Sequence, residues 1–258
     1  MKLIAIYNVW GDSLELLRGS IQQIRDCVDF VLIIAQEESN AGEVDRNVYP
    51  FCNNLIDEKL ANQVIIYNPL KKSLLDDETR KRQMGINFAL DNGFSHFIHM
   101  DSDEYYFPHE FQAAKELIVR DRIKSSCIDL YTYYKEPNYR LANKETYLVP
   151  FIHEVNKFSR TGKDFRHNYP MPVDPSRAIS GSSSKRIPGI SMHHFSYVRR
   201  DIEKKLRNST ARKNINRKDV IEEFHSAKIG THLRALYNDV IVESENHFNI
   251  NIDEREKA

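Results

Sequence analysis

Asp101-Ser102-Asp103-Glu104 places three carboxylates in four positions, directly after the apolar run Phe97-Ile98-His99-Met100. Carboxylates packed this closely repel one another and raise each other's pKa unless a cation sits among them. On a strand-to-loop bend, Asp101 and Asp103 can face one hard divalent cation. Mg²⁺ and Mn²⁺ suit such a site, because they take carboxylate oxygens and keep waters and substrate phosphates as their other ligands. Asp-Ser-Asp is also ordinary turn and cap material, so the strand leading into it carries the reading. An EF-hand loop starting at Asp101 would need glycine at its sixth position and glutamate at its twelfth. Tyr106 and Gln112 exclude it.

A second constellation follows about 90 residues later in "SMHHFSYVRR". His193 and His194 are neighbours on a short strand, so they point to opposite faces and one of them faces inward. An imidazole can complete the coordination of a cation already held by carboxylates; the commoner fate of a lone histidine is a satisfied place in a core. Nine Lys/Arg lie between 199 and 218. Most read as a solvated helix face, but one or two suffice to hold phosphate oxygens. Tyr197 and Arg199, nearest the histidines, are the candidates. Ahead of the carboxylates, Arg80 and Arg82 stand near the start of a helix, where a cation opposes the macrodipole unless an anion is close. Lys81 reads as a surface residue.

The elements that must position these groups alternate in period. Residues 2–10, 29–37, 62–69 and 95–100 are apolar, strand-length runs. Leu14, Leu17, Ile21 and Ile24 form a helical stripe, a second helix falls near 47–60, and a third spans 77–93 with Gly93 past its end. This alternation predicts an α/β fold, a mainly parallel sheet with helices on both faces. Ligands of such sheets bind beyond the C-terminal ends of the strands, which gathers residues 7–10, 36–38, 67–69 and 101–104 on one edge. Beyond them come a helix from Pro108 to about Arg120, two strands near 126–137 and 145–158 that form a small antiparallel region, a proline-rich loop over 166–189, a strand at 190–198, and helices from Asp201 to about Glu243.

Composition narrows the setting. Thirty-seven basic and 37 acidic residues give zero net charge, which names no partner. Cys27, Cys52 and Cys127 are odd in number and widely spaced, so they are neither a disulfide framework nor a zinc pattern. The N-terminus lacks the apolar segment of a signal peptide, and no run reaches the ~18 apolar residues of a membrane span. The expectation is a soluble, cytoplasmic protein.

"ETRKRQMGINFALDNGFSHFIHMDSDEYYFP" resembles the helix, strand and DxD segment of glycosyltransferases with the GT-A fold, especially those related to family 2, and "HHFSYVRRDIEKK" resembles their later metal-ligand segment. The resemblance implies a GT-A domain over 1–200, with a nucleotide-sugar half (1–107) and an acceptor half (108–200), and a C-terminal helical extension over 201–258. It implies a nucleoside-diphosphate sugar donor, Mn²⁺ or Mg²⁺ as cofactor, and hexosyl or pentosyl transfer. Asp101 would lie near the ribose or the metal, Asp103 would be the main carboxylate ligand with Glu104 in support, and His194 the later ligand. Tyr7, Asn8 and Gln36 would line the base and ribose pocket, Arg80 or Arg82 would meet the diphosphate or the sugar, and Tyr131, Tyr133, Tyr134 and Tyr139 are candidates to stack on a sugar ring. An inverting reaction needs a carboxylate base, for which Asp174 is preferred to Glu154 because its loop can fold over the sugar. The family-2 Glu-Asp and Gln-x-x-Arg-Trp signatures are not clear, which leaves inversion and retention open. The expected acceptor is a glycan or lipid-linked glycan. Hydroxymethylated DNA bases are an alternative acceptor; a non-catalytic sugar-nucleotide-binding module and a metal-dependent phosphohydrolase are alternative functions.

Overall fold

The computed structural model describes residues 1–12, 14–39, 42–70, 73–162, 168–174, 176–181, 183–208 and 216–251. Strands β1 (Leu3–Val9), β2 (Phe30–Ala35), β3 (Gln63–Ile66) and β4 (His96–Asp101) pair in parallel in the order β3-β2-β1-β4. Helices α1 (Leu14–Ile24), α2 (Val48–Asp57) and α3 (Leu74–Asp91) connect them; a two-residue strand β5 (Glu104–Tyr105) and helix α4 (Pro108–Arg120) follow. Alternate residues of β1 point to opposite faces. Leu3, Ala5, Tyr7 and Val9 enter the core beneath α1, α2 and α4, whereas Ile4 and Ile6 enter the core beneath α3. Helices therefore cover both faces of the parallel strands, the Rossmann-like α/β arrangement expected from the sequence.

Helix α3 is held at both ends and in the middle. The Ser73 hydroxyl accepts the Asp76 N–H at 3.0 Å. At the other end Gly93 adopts φ 65°, and the amides of Gly93 and Phe94 reach back to the carbonyls of Leu90 and Ala89, a Schellman closure that favours glycine. Midway, Gly85 lets the helix lie against β1: a Cβ there would come within 2.3 Å of Ile6 Cγ2. Gly85→Ala is expected to cost about 1–3 kcal/mol through overpacking, although alanine is the better helix former. Urea denaturation at constant slope reads this; a stabilised variant would show that the helix can shift away from the sheet.

The second half continues the same sheet through β6 (Ser125–Tyr134), β7 (Tyr139–Leu141), β8 (Val149–Glu154) and β9 (Lys185–Tyr197), then α5 (Ile202–Asn208), α6 (Arg217–Ser226), β10 (His232–Leu233) and β11 (Asp239–Glu243). Strand β8 lies antiparallel between β4 and β6, β9 runs parallel to β6, and β11 pairs with β7. Two elements differ from the sequence reading. After Asp201 the described residues form two helices followed by a hairpin, because Val240-Ile241-Val242 is a β-branched run that favours a strand. Residues 185–189, read as loop, belong to β9; Pro188 is tolerated where the β6–β9 register shifts. The three cysteines are buried and free. Among the described residues no helix is long and apolar enough to cross a membrane.

His153 on β8 is buried, with Nδ1 3.0 Å from the Ser125 hydroxyl. Burial, then Arg177 and His96, push its pKa down to about 3. The unfolded chain takes up this proton near pH 6.5 and the folded chain does not. Stability from this group is therefore complete above about pH 6.5 and is lost as pH falls toward 3. The expected loss is about 1–2 kcal/mol between pH 8 and pH 5. Denaturation of wild type and His153→Gln at both pH values isolates it; equal pH dependence in the two would contradict a buried neutral imidazole.

Candidate active site

The two constellations meet because β5 pairs with β9. Asp101 ends β4, Ser102 and Asp103 make the turn, and the chain re-enters the sheet with Glu104 opposite His194 and Tyr105 opposite His193. The Phe195 amide also donates to the Asp103 carbonyl at 2.8 Å. Alternation then sorts the histidines. His194 borders a cavity of about 350 Å³ with Nε2 3.7 Å from Asp103 Oδ1. His193 faces away, among the rings of Phe107, Tyr133 and Phe248, with Nδ1 2.9 Å from the Tyr133 hydroxyl.

Each carboxylate of the cluster has its own cationic neighbour. Arg82 Nη2 donates to both oxygens of Asp101, at 3.1 and 3.2 Å. Arg199 Nη2 donates to Asp103 Oδ2 at 2.6 Å, and Lys205 Nζ lies 3.5 Å from the same oxygen. Arg177 donates to both oxygens of the fully buried Glu104, and to the His99 carbonyl at 2.8 Å. Burial alone would raise the Asp103 carboxyl, but Lys205, Arg199 and His194 outweigh it and hold it below the ordinary carboxylate range. Asp103 Oδ1 is buried and has no hydrogen-bond partner among the described residues.

Helix α3 supplies the facing wall. Lys81 and Arg82 are buried and border the cavity with Glu78, one turn before Arg82. Burial lowers the Lys81 ammonium to about 8 and raises the Glu78 carboxyl to about 7. Arg80, turned away by its helical angle, is exposed. At the ends of β1 and β2, Asn8, Trp10 and Gln36 form one end of the cavity. Asn8 presents a buried carboxamide whose nitrogen and oxygen both lack partners among the described residues.

Of the residues singled out in the sequence, Asn8, Gln36, Arg82, Asp101, Asp103, Asp174, His194 and Tyr197 share this cavity. Tyr7, Arg80, Arg199 and Glu154 are among those that do not line it. Tyr7 is fully buried on the other face of β1, its hydroxyl 3.1 Å from Ser20 Oγ. Arg80 points to solvent. Arg199 is buried behind Asp103, and its Nη1 donates to the carbonyls of Phe195 and Val198, so it anchors the carboxylate. Glu154 pairs with His96, the first residue of β4, whereas Asp101 is its last. Five residues of strand put it roughly 17 Å from the cluster, at the opposite edge of the sheet.

Among the lining residues that escaped the sequence reading are Asp12, Glu78, Tyr147 and Tyr237; Lys81, read as a surface residue, is instead buried here because its helical angle turns it with Glu78 and Arg82 toward the cavity. Lys205, passed over as one of nine in a basic segment, also lines it. Glu78 was legible, since it lies four residues before Arg82 on one helix face. Tyr237 was not, because only the hairpin brings it back. Residues 209–215 of the basic segment lie outside the described residues.

Among the described residues, no group of three or more His, Cys, Asp or Glu side chains could hold a metal ion. The unpartnered Asp103 Oδ1 and the nearby His194 Nε2 do fit two positions on one hard cation, with phosphate and water left to fill the rest.

No family model and no curated protein matches the sequence. Several solved structures align with part of it. Residues 1–349 of S. aureus TarS align with a TM-score of 0.48 and 10% identity, over 76% of this chain and 61% of that one. The same segment in complex with UDP-GlcNAc aligns with a TM-score of 0.37 and 15% identity, over 51% and 35%. Mannose-1-phosphate geranyltransferase from Thermus thermophilus aligns with a TM-score of 0.36 and 13% identity, over 61% and 51%. The chain spans less than two thirds of the length of each. Likeness of this degree does not extend to activity or substrate.

Proposed function

We propose that the protein is a metal-dependent glycosyltransferase that moves a sugar from a nucleoside-diphosphate sugar to a hydroxyl acceptor. The observation that carries the reading is the cavity at the C-terminal edge of β1 and β4. Strands β1 and β4 are where the strand order reverses, the position at which open α/β sheets bind nucleotides. Carboxylates, an imidazole and buried cations converge there. Asp12, Glu78, Asp101, Asp103 and Asp174 line the cavity against Lys81, Arg82 and Lys205, so carboxylates outnumber cations. A diphosphate entering such a lining is repelled unless a divalent cation enters with it. This charge balance favours a metal-assisted donor over a bare phosphate ester.

Asp103 and His194 would hold the cation, which when bound neutralises charge developing on the departing diphosphate. Lys81 and Lys205 stand where ammonium groups can bind phosphate oxygens. Arg82 fixes the Asp101 carboxylate through Nη2. Asn8 and Gln36 bind the nucleoside end. Asp174 is the acceptor-side base: its Oδ1 is held by the Ser176 amide and hydroxyl, both at 2.8 Å, which orients the carboxylate at the cavity rim.

The test is a donor screen of UDP-, GDP-, CMP- and dTDP-sugars with Mn²⁺ or Mg²⁺, read as thermal stabilisation and nucleotide release. Binding that vanishes with chelator supports the reading, and release of free phosphate without an acceptor points to a phosphohydrolase. Lys205→Ala is expected to weaken donor binding about 10-fold or more, the worth of one charge-assisted contact. Unchanged donor affinity would remove Lys205 from the phosphate site.

A further inference from the structure

The tyrosines that border the cavity are not those of the 131–139 run. Tyr133 and Tyr134 are buried, and Tyr131 lies under Arg140 and Lys144. Tyr147, Tyr197 and Tyr237 line it instead. In the strand order, Asn8 and Gln36 rise on the β1–β2 side of β4. Tyr197 ends β9, which pairs with β6, and Tyr237 sits in the turn between β10 and β11 on the far side. The cavity thus has a polar nucleoside end and an aromatic end, with the carboxylates between them.

We propose that the aromatic end is an acceptor subsite for a carbohydrate ring, with Tyr237 as its stacking face. The rings are braced. Tyr197 stacks on Tyr134 at 5.6 Å and 24°, and Tyr237 crosses Tyr197 at 5.7 Å and 90°. Two rings at a right angle form a corner that needs no ordering when a ligand arrives. A pyranose has an apolar C–H face and a rim of hydroxyls, and tyrosine matches both with its ring and its hydroxyl. Charges of both signs stand near: Glu145 and Asp174 face the Tyr147 hydroxyl, and Lys205 faces Tyr197. A hydroxyl-lined wall offers little to a bare hydrocarbon tail. A neutral sugar hydroxyl suits it. In the transfer, this hydroxyl gives its proton to Asp174 and its oxygen bonds the anomeric carbon. The sugar–phosphate bond breaks and its electron pair leaves with the diphosphate.

The direction of transfer rests on the donor reading above, so the experiment separates the two. Saturation-transfer NMR is recorded with methyl glycosides of glucose, galactose, mannose and N-acetylglucosamine on wild type, Tyr237→Phe and Tyr237→Leu. Melting curves accompany each variant, and UDP and GDP with Mn²⁺ serve as competitors. Ring-proton signals are expected with at least one glycoside in wild type and in Tyr237→Phe. In Tyr237→Leu the affinity should fall tenfold or more, while stabilisation by the nucleoside diphosphate persists. Absence of any glycoside signal in wild type overturns the proposal. So does glycoside binding that survives Tyr237→Leu, or that the nucleoside diphosphate displaces. Should Tyr237→Leu fail to fold, Tyr147→Leu takes its place and is read in the same way. If glycosides bind and no nucleoside diphosphate does, the subsite stands and the donor assignment fails.

Discussion

His194→Ala is expected to reduce metal-dependent turnover by roughly 10²-fold or more, the scale of losing one fixed electrostatic contributor, while the protein stays folded. The imidazole borders the cavity with its side chain 22% exposed, and its near neighbour is Asp103 Oδ1 at 3.7 Å. Removing it leaves the buried Asp103 carboxylate its nearer cations, Arg199 and Lys205. Asp103 is different. Its carboxylate is 4% exposed and faces Arg199, itself 1% exposed, and Lys205. Asp103→Ala therefore leaves buried cations uncompensated, at a cost of about 3–5 kcal/mol, and loss of activity would be mixed with loss of fold. Asp103→Asn keeps an acceptor for Arg199 and is the better partner variant. Nucleotide release with Mn²⁺, measured beside melting curves, checks both; full turnover by His194→Ala would sink the metal-site assignment.

Arg177→Met should be the most destabilising of the substitutions considered, by about 3–5 kcal/mol. It leaves Glu104, at 0% exposure, without the cation that faces it. The same arginine lies 3.6 Å from Asp101, and its own amide donates to the Asp174 carbonyl at 3.0 Å. It thereby ties the loop that carries Asp174 to the acidic cluster. Arg177→Met paired with Glu104→Gln removes both charges together, and part of the stability should return, with a coupling of roughly 1–3 kcal/mol in a double-mutant cycle. The paired variant should still bind nucleotide while turning over slowly, because Asp174 is no longer held in place. Additive effects of the two substitutions would mean that the ion pair does not organise the loop.

The acidic cluster thus divides its labour. Asp103 turns one oxygen toward His194 at the cavity, Asp101 is held by Arg82, and Glu104 anchors Arg177. None of this division is visible in Asp-Ser-Asp-Glu as a string, since it depends on which arginine reaches which oxygen.

The sequence by itself determined the alternation of strands and helices in the first half and the edge on which Asp101 and Asp103 emerge. Those features follow from local periodicity and from the opposite facing of neighbours on a strand. The same logic reaches Glu78 and Arg82 on one face of α3. Only the tertiary structure decided the rest. Glu154 and Asp174 are both carboxylates in the second half, yet the antiparallel run of β8 carries Glu154 to the far edge while Arg177 brings Asp174 to the cavity. Arg199 and Lys205 are both basic and six residues apart, yet one is buried behind Asp103 and the other borders the cavity. Tyr237 reaches the site through a hairpin whose second strand pairs with β7, 100 or more residues earlier. Strand pairing and ion-pair choice are long-range contacts, and no period in the local sequence encodes them.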